Sequence, residues 1–180
     1  MELLDLMLRR RSVRKYTDAP VPEEKLEKIL QAGLLAPTSQ NRKPCEFYVV
    51  RDKAVLNQLS KVKKMGADML CECDAAIAVF GDSRKADTWI EDCSIAMSFM
   101  HLMAAEQGVG SCWVQIHLRS SLLEKDAEAE VRKILSVPEH YRIVGILALG
   151  MPAKESQMHT LDDVDYAKVH NGEALHRLTR

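Results

Sequence analysis

Ile90-Glu91-Asp92-Cys93-Ser94-Ile95-Ala96-Met97-Ser98-Phe99-Met100-His101-Leu102-Met103-Ala104-Ala105-Glu106-Gln107 is apolar around most of the circumference of a helix. A helix of that kind needs cover from every side, so the rest of the chain must wrap it. Gly108 follows and stops it, since glycine readily takes the left-handed turn at a helix end. On its N-terminal side lies Ala75-Ala76-Ile77-Ala78-Val79-Phe80, a continuous apolar run closed by Gly81-Asp82. That pattern predicts a strand covered on both faces.

Two further strands are predicted. Glu46-Phe47-Tyr48-Val49-Val50 is rich in β-formers and ends at Arg51-Asp52, and Tyr141 to Leu149 is ended by Gly150-Met151-Pro152. Leu3, Leu4, Met7 and Leu8 form a helical stripe over residues 2 to 9. Val21-Pro22-Glu23-Glu24 opens a second helix, with proline suiting its first position and acids its positive end. Its buried stripe is predicted to be Leu26, Ile29, Leu30 and Leu34, and Gly33 within it signals close packing. A short helix is predicted over 54 to 64, and another near 121 to 135 with Ser120 or Ser121 as N-cap. This order suits an α+β fold in which helices flank a mixed, mostly antiparallel sheet.

No linker rich in Pro, Gly or Ser divides the 180 residues, so they read as one domain spanning 1 to 180. The polar stretch 153–180 lacks regular periodicity. Its scattered Leu161, Val164, Tyr166, Val169, Leu175 and Leu178 predict an extension lying across another surface, such as a second subunit. Twenty-five Lys plus Arg balance 26 Asp plus Glu, so no overall field draws the chain to nucleic acid or an anionic membrane. No apolar stretch approaches the roughly 20 residues that span a bilayer. Five cysteines without metal-ligand spacing, and an acidic start without a secretory signal, predict a reduced, cytoplasmic location.

An anion site must therefore be local. Arg10-Arg11-Ser12-Val13-Arg14 puts three guanidinium groups and a hydroxyl in five residues, a donor set suited to a phosphate. Cations also answer a helix C-terminus, and most charge runs are solvated faces. The interrupting Ser12, followed by Val13 and Tyr16, fits recognition better than solubility. Ala36-Pro37-Thr38-Ser39-Gln40-Asn41-Arg42-Lys43-Pro44 is a turn-rich loop between a helix and a strand, where ligand loops are often carried. Gly108-Val109-Gly110-Ser111-Cys112-Trp113 follows a helix instead of joining a strand to one, so the dinucleotide fingerprint is absent. Its glycines read as a helix stop and a close approach to a flat ligand, with Trp113 as a core anchor. Cys71-Glu72-Cys73 lacks redox spacing, Cys112 reads equally as a small buried hydrophobe, and the six dispersed histidines show no metal or triad pattern.

With these segments in order, the chain resembles the FMN-dependent nitroreductase family over nearly its whole length. The likeness rests on Arg10-Arg11-Ser12-Val13-Arg14 with Tyr16, on Ala36 to Asn41 with Pro44, on Gly108 to Trp113, and on Gly150-Met151-Pro152. The resemblance implies a domain-swapped α+β homodimer with FMN at the subunit interface. It implies reduction of nitroaromatics, quinones or similar small-molecule acceptors by NADH or NADPH, in ping-pong hydride transfer through flavin N5 with no catalytic side chain. Carried over residue by residue, Arg10, Ser12 and Arg14 would hold the FMN phosphate with Arg11 assisting and Lys154 beyond them. Pro37, Thr38, Ser39 and Asn41 would approach the flavin across the dimer, and Val114, Gln115 and Ile116 would lie beside the ring, where backbone N–H groups near Gln115 would support negative charge. Where family members often have Gln-Pro-Trp this chain has Lys43-Pro44-Cys45, which exchanges an aromatic for a cation and points to anionic acceptors. Around Ala67 to Leu70 it has neither Asn nor Lys to touch a flavin. The rival readings are another flavin reaction on the same fold, such as reductive dehalogenation or enone reduction, a flavin-binding redox sensor or carrier, and a phosphate-ligand module without flavin.

Overall fold

The computed structural model describes residues 2–121, 123–171 and 176–177. In chain order the main elements are α1 (Leu3–Arg9), α2 (Glu23–Leu34), β1 (Cys45–Val50), α3 (Lys53–Leu59), α4 (Met69–Glu72), β2 (Ala75–Asp82), α5 (Trp89–Glu106), β3 (Gly110–Gln115), α6 (Ala127–Leu135) and β4 (Tyr141–Gly150). The strands form one sheet in the order β1-β2-β4-β3, antiparallel at every ladder. Among the described residues parallel pairing enters as a single bridge between Ser12 and Ser111, so the mixed character expected of the sheet shrinks there to that contact. The fold is α+β, as expected, and no helix among the described residues is long and apolar enough to cross a membrane.

The apolar run of β2 is buried at every position, because the sheet has a core on each face. Ala76, Ala78 and Phe80 face Leu56, Leu59, Leu70 and Val131 from α3, α4 and α6. Ala75, Ile77 and Val79 face Leu26 and Ile29 of α2 and Cys93, Met97 and Met100 of α5. Gly33 lets α2 reach α5: a Cβ there would lie 2.9 Å from the Met100 side chain. Between Val79 and Phe80 the β2–β4 register shifts, and the bulged Val144 offers its carbonyl to both Ile116 and His117 at 3.1 Å.

Several expectations are corrected. Gly110–Gln115, whose first four residues fall in the Gly108–Trp113 segment read as a helix stop and a close approach to a ligand, is an edge strand; its opening glycine and polar ends mask the pattern. The helix placed at 121–135 begins at Ala127, because Asp126 and not Ser120 or Ser121 caps it, accepting from the Glu128 N–H at 3.1 Å. Pro22 stands just outside α2, and the helix placed at 54–64 ends at Leu59. The stripe of α1 is not buried: Leu3 is 62% exposed, Leu4 and Met7 are exposed with it, and Leu6 is the buried residue. Leu34, expected in the α2 stripe, is exposed too. Nor is α5 covered on every side, since Ile95 and Phe99, one turn apart, face outward, Phe99 41% exposed. The expectation for 153–180 is not overturned: the stretch after β4 touches its own chain where the His159 N–H meets the Leu8 carbonyl at 2.9 Å, then runs through two short turns with Leu161, Val164, Tyr166 and Val169 exposed. Leu175 and Leu178 lie outside the described residues.

Candidate functional site

The arginine segment is seated by two missing side chains. Gly110 on β3 and Gly150 on β4 oppose each other in register. A Cβ on Gly110 would lie 2.9 Å from Val13 Cγ1, and one on Gly150 would lie 2.6 Å from the Tyr16 ring. Val13 and Tyr16 thus fill the space the glycines leave. The Val13 N–H donates to the Ser111 carbonyl at 2.9 Å, the Thr17 N–H to Met151 at 2.8 Å, and the Tyr16 hydroxyl to the Val13 carbonyl at 2.7 Å. With Val13 and Tyr16 turned inward, Ser12 and Arg14 are left exposed, and neither side chain has a hydrogen-bond or ion-pair partner among the described residues.

Arg10 is held instead by a residue outside the expected set. Its Nη1 donates to His101 Nε2 at 3.1 Å, and His101 Nδ1 meets Ser111 Oγ on β3. A guanidinium has only donors, so Nε2 must be the unprotonated nitrogen and Nδ1 carries the proton that Ser111 accepts. Burial, with His101 only 8% exposed, and then the Arg10 charge push its pKa down to about 4, which keeps the ring neutral. No sequence pattern marks His101, because it is one polar position in an apolar helix.

Arg11 donates to the Gln157 carbonyl at 2.7 Å and lines a cavity of about 560 Å³ together with Arg9, Ser111 and Lys154. Lys154 is exposed there beside Glu155, and neither has a salt-bridge partner among the described residues. Arg11 and Lys154 thus line the cavity beside Ser111, Arg10 reaches Ser111 through His101, and Ser12 and Arg14 lie on the same segment without lining that cavity. Guanidinium, ammonium and hydroxyl donors of this kind are the chemistry that binds a phosphate.

Along β3 the expectation is changed in detail. Val114 and Ile116 are fully buried in the core, so their side chains cannot touch a ligand. The Ile116 and His117 N–H groups both donate to Val144, which removes them as supports for a charged ring. Backbone groups alternate in direction along an antiparallel strand. Because the Ser111 carbonyl accepts from Val13 and the Gln115 carbonyl from Lys63 Nζ at 3.1 Å, residues 111, 113 and 115 turn their polar groups to the open edge. The Gln115 amide is committed, accepting from Trp113 Nε1 at 2.9 Å and donating to the His117 carbonyl at 3.2 Å. Lys63 is the second residue missed. Burial and then Arg119 hold its pKa below the ordinary lysine value, and it places a cation at the Gln115 end of β3, away from the 67–70 stretch that has neither Asn nor Lys. No sequence pattern marks Lys63, because its contact with Gln115 joins residues 52 apart in the chain.

Behind β3, buried Glu128 binds His117 Nδ1 at 2.6 Å and Arg142 through Nε at 2.8 Å and Nη2 at 3.0 Å. Burial alone would raise its pKa, but these donors hold it lowered, so the carboxylate stays charged and pins the segment after β3.

The loop sits elsewhere. The Ser39 N–H donates to Asp92 Oδ1 at 2.9 Å, Thr88 Oγ1 donates to Asp92 Oδ2 at 3.2 Å, and the Lys43 N–H donates to Thr38 Oγ1 at 3.1 Å. Gln40, Asn41 and Lys43 all have positive φ, a strained path that Asp92, 2% exposed, holds in place. Pro37 and Asn41 are exposed, Thr38 and Ser39 half-buried. Asp92 and His101 are nine residues apart on α5, about 13 Å along the axis. One protomer therefore does not bring Pro37, Thr38, Ser39 and Asn41 to the arginine segment; it presents the two sets separately.

The chain matches the model of the Nitroreductase family over residues 7–68 and 57–151. It is similar to an FMN-dependent nitroreductase of known structure from Clostridium difficile R20291, with 41% identity and a TM-score of 0.92, covering 95% of this chain and 99% of that one. It is 34% identical to an Archaeoglobus fulgidus protein named "Putative NADH dehydrogenase/NAD(P)H nitroreductase", over 90% of this chain and 92% of that protein. A Thermus thermophilus NADH dehydrogenase is 32% identical over 82% of this chain and 85% of its own length. Sheet order, the docked arginine segment and these matches along nearly the whole chain agree, and the chain belongs to the Nitroreductase family.

Proposed function

We propose that this chain is an FMN-dependent NAD(P)H oxidoreductase that reduces nitroaromatics, quinones or similar small acceptors, and that it works as a homodimer. The observation that carries the reading is the arginine segment docked on the Gly110–Gly150 pair, with Arg10 oriented by His101 and with Ser12 and Arg14 left open to a ligand. Arg10, Ser12 and Arg14, with Arg11 and Lys154 at the adjoining cavity, would bind the phosphate. The open edge at Trp113 and Gln115 would face the flavin ring, with Lys63 placing positive charge beside it. When bound, FMN supplies two-electron chemistry at its N5, with donor and acceptor using one place in turn.

The residues of this chain bind, orient and shield. Pro37, Thr38, Ser39 and Asn41 would serve the second subunit's site, which accounts for their distance from the arginines within one protomer. Leu3, Leu4 and Met7 of α1 and Ile95 and Phe99 of α5 would be covered by the partner, with the stretch from 153 onward packing on it. The 1–180 stretch is then one domain completed by its twin. Lys43, exposed at the loop end, would favour anionic acceptors.

An absorbance spectrum of purified protein tests the cofactor and donor together. Bound FMN gives a yellow protein that bleaches with NADH or NADPH and recovers with menadione or nitrofurazone. Protein that stays colourless after incubation with excess FMN would overturn the reading.

A further inference from the structure

Cys45 opens β1 immediately after the loop, and Cys93 lies in the first turns of α5, wholly buried. Their sulfurs are 3.5 Å apart, with the Cys93 thiol donating to Cys45. Space for this contact is left by Gly81, which opposes Cys45 in the β1–β2 register; a Cβ at Gly81 would lie 3.0 Å from Cys93 Sγ. The other three cysteines are separate: Cys71 donates to the Asp68 carbonyl, Cys73 to the Leu70 carbonyl, and Cys112 lies on β3. We propose that Cys45 and Cys93 form a dithiol which hydroperoxides oxidise to a disulfide, locking the 38–44 loop onto the central helix.

Three observations support this. The sulfurs are about 1.5 Å beyond the roughly 2.05 Å of a bonded pair, so closure needs a small side-chain movement. The two thiols are unequal in the way a nucleophile and a resolving thiol are. Cys45 is half-buried and reachable, while Cys93 is sealed in. The Cys93 hydrogen bond lowers the Cys45 pKa against burial and the nearby Asp92 and Glu46 carboxylates, whereas Cys93 is pushed up by the same bond and by burial. Finally, both cysteines adjoin residues that hold the loop: Cys45 follows Pro44, whose carbonyl accepts from the Asp82 N–H at 2.9 Å, and Cys93 follows Asp92, which holds the Ser39 N–H.

The chemistry balances without any group on the flavin. The Cys45 thiolate attacks the hydroxyl oxygen of ROOH, forming an S–O bond and breaking O–O, and the departing alkoxide takes up the proton that the Cys45 thiol gave to water, leaving as ROH. The Cys93 sulfur then attacks the Cys45 sulfenic sulfur, forming S–S and breaking S–O, and its proton leaves with the hydroxide as water. Two thiols and one hydroperoxide give one disulfide, one alcohol (water when the oxidant is hydrogen peroxide) and one water. The sulfurs lose two electrons and the peroxide gains them.

The test treats the reduced full-length protein with a few equivalents of hydrogen peroxide, blocks free thiols and maps peptides by mass spectrometry. Expected is a dithiothreitol-reversible link between the Cys45 and Cys93 peptides, present in Cys71→Ser and absent in Cys45→Ser. Cys93→Ala, lacking the second thiol, should instead leave a Cys45 sulfenic acid that dimedone traps. If Cys93→Ala does not fold, the Cys45→Ser and Cys71→Ser pair still decides. In the wild type, oxidation should slow hydrogen exchange of the Ser39 amide severalfold, and in Cys45→Ser it should not. Direct overoxidation of Cys45 without the link, a link to another cysteine, or unchanged Ser39 exchange would overturn the proposal. None of these readouts depends on flavin, so their failure is distinct from failure of the proposed function.

Discussion

Arg10 shows how one side chain can be prepared for a ligand without a carboxylate nearby. A carboxylate partner would cancel its charge; neutral His101 accepts one N–H and leaves the charge and the remaining donors available. Arg10→Ala and Ser12→Ala should each weaken FMN retention by about 1.5 to 3 kcal/mol, the range for charge-assisted hydrogen bonds. Equilibrium dialysis or flavin fluorescence on the two variants checks this, and unchanged affinity in both would remove the phosphate assignment. The arginines and Ser12 were legible as a donor cluster because residue type and close spacing suffice for that. His101, Ser111 and Lys63 were not legible, because each enters through contacts between residues far apart in sequence.

At the level of elements, the arginine segment is placed by the Gly110–Gly150 pair and not by its own chain direction. Gly150→Ala would set a Cβ 2.6 Å from a Tyr16 ring that is itself tied to the Val13 carbonyl, so the ring must move and take residues 12–17 with it. The expected cost is about 1 to 3 kcal/mol of stability, as for other overpacked sites, together with weaker FMN binding. Thermal melts with and without FMN separate the two effects: a variant that melts as the wild type does would show that the seat is not tight. β3 was missed for a related reason. Its first residues are Gly and Ser because other backbone must approach them, and that requirement removes the β-former pattern by which strands are read.

For the whole molecule, His101 links the site to acid stability. Its folded pKa, near 4, lies below the unfolded value of 6.5, so between the two the unfolded chain binds a proton that the folded chain refuses. Stability from this group is complete above about pH 6.5 and is lost as pH falls toward 4, by about 3 kcal/mol in all. His101→Gln, which offers Arg10 an acceptor and Ser111 a donor but does not titrate, should lose less stability than the wild type between pH 7 and 4 in denaturant melts. Parallel pH curves would count against this. The apolar strip of Leu3, Leu4, Met7, Ile95 and Phe99 predicts that light scattering will return twice the 20.3 kDa chain mass. Glu or Lys at Phe99 should shift the balance toward monomer. From sequence alone came the α+β class, the doubly covered central strand, the helix ending at Gly108, and the donor chemistry of residues 10–14, because these depend on local periodicity and residue type. Tertiary structure alone decided that the 37–41 loop is tied to Asp92, about 13 Å along α5 from His101, that Val114 and Ile116 point into the core, and that one side of α5 lies bare within the chain. Those facts depend on which distant surfaces meet, and periodicity marks a face as apolar without saying whether its own chain will cover it.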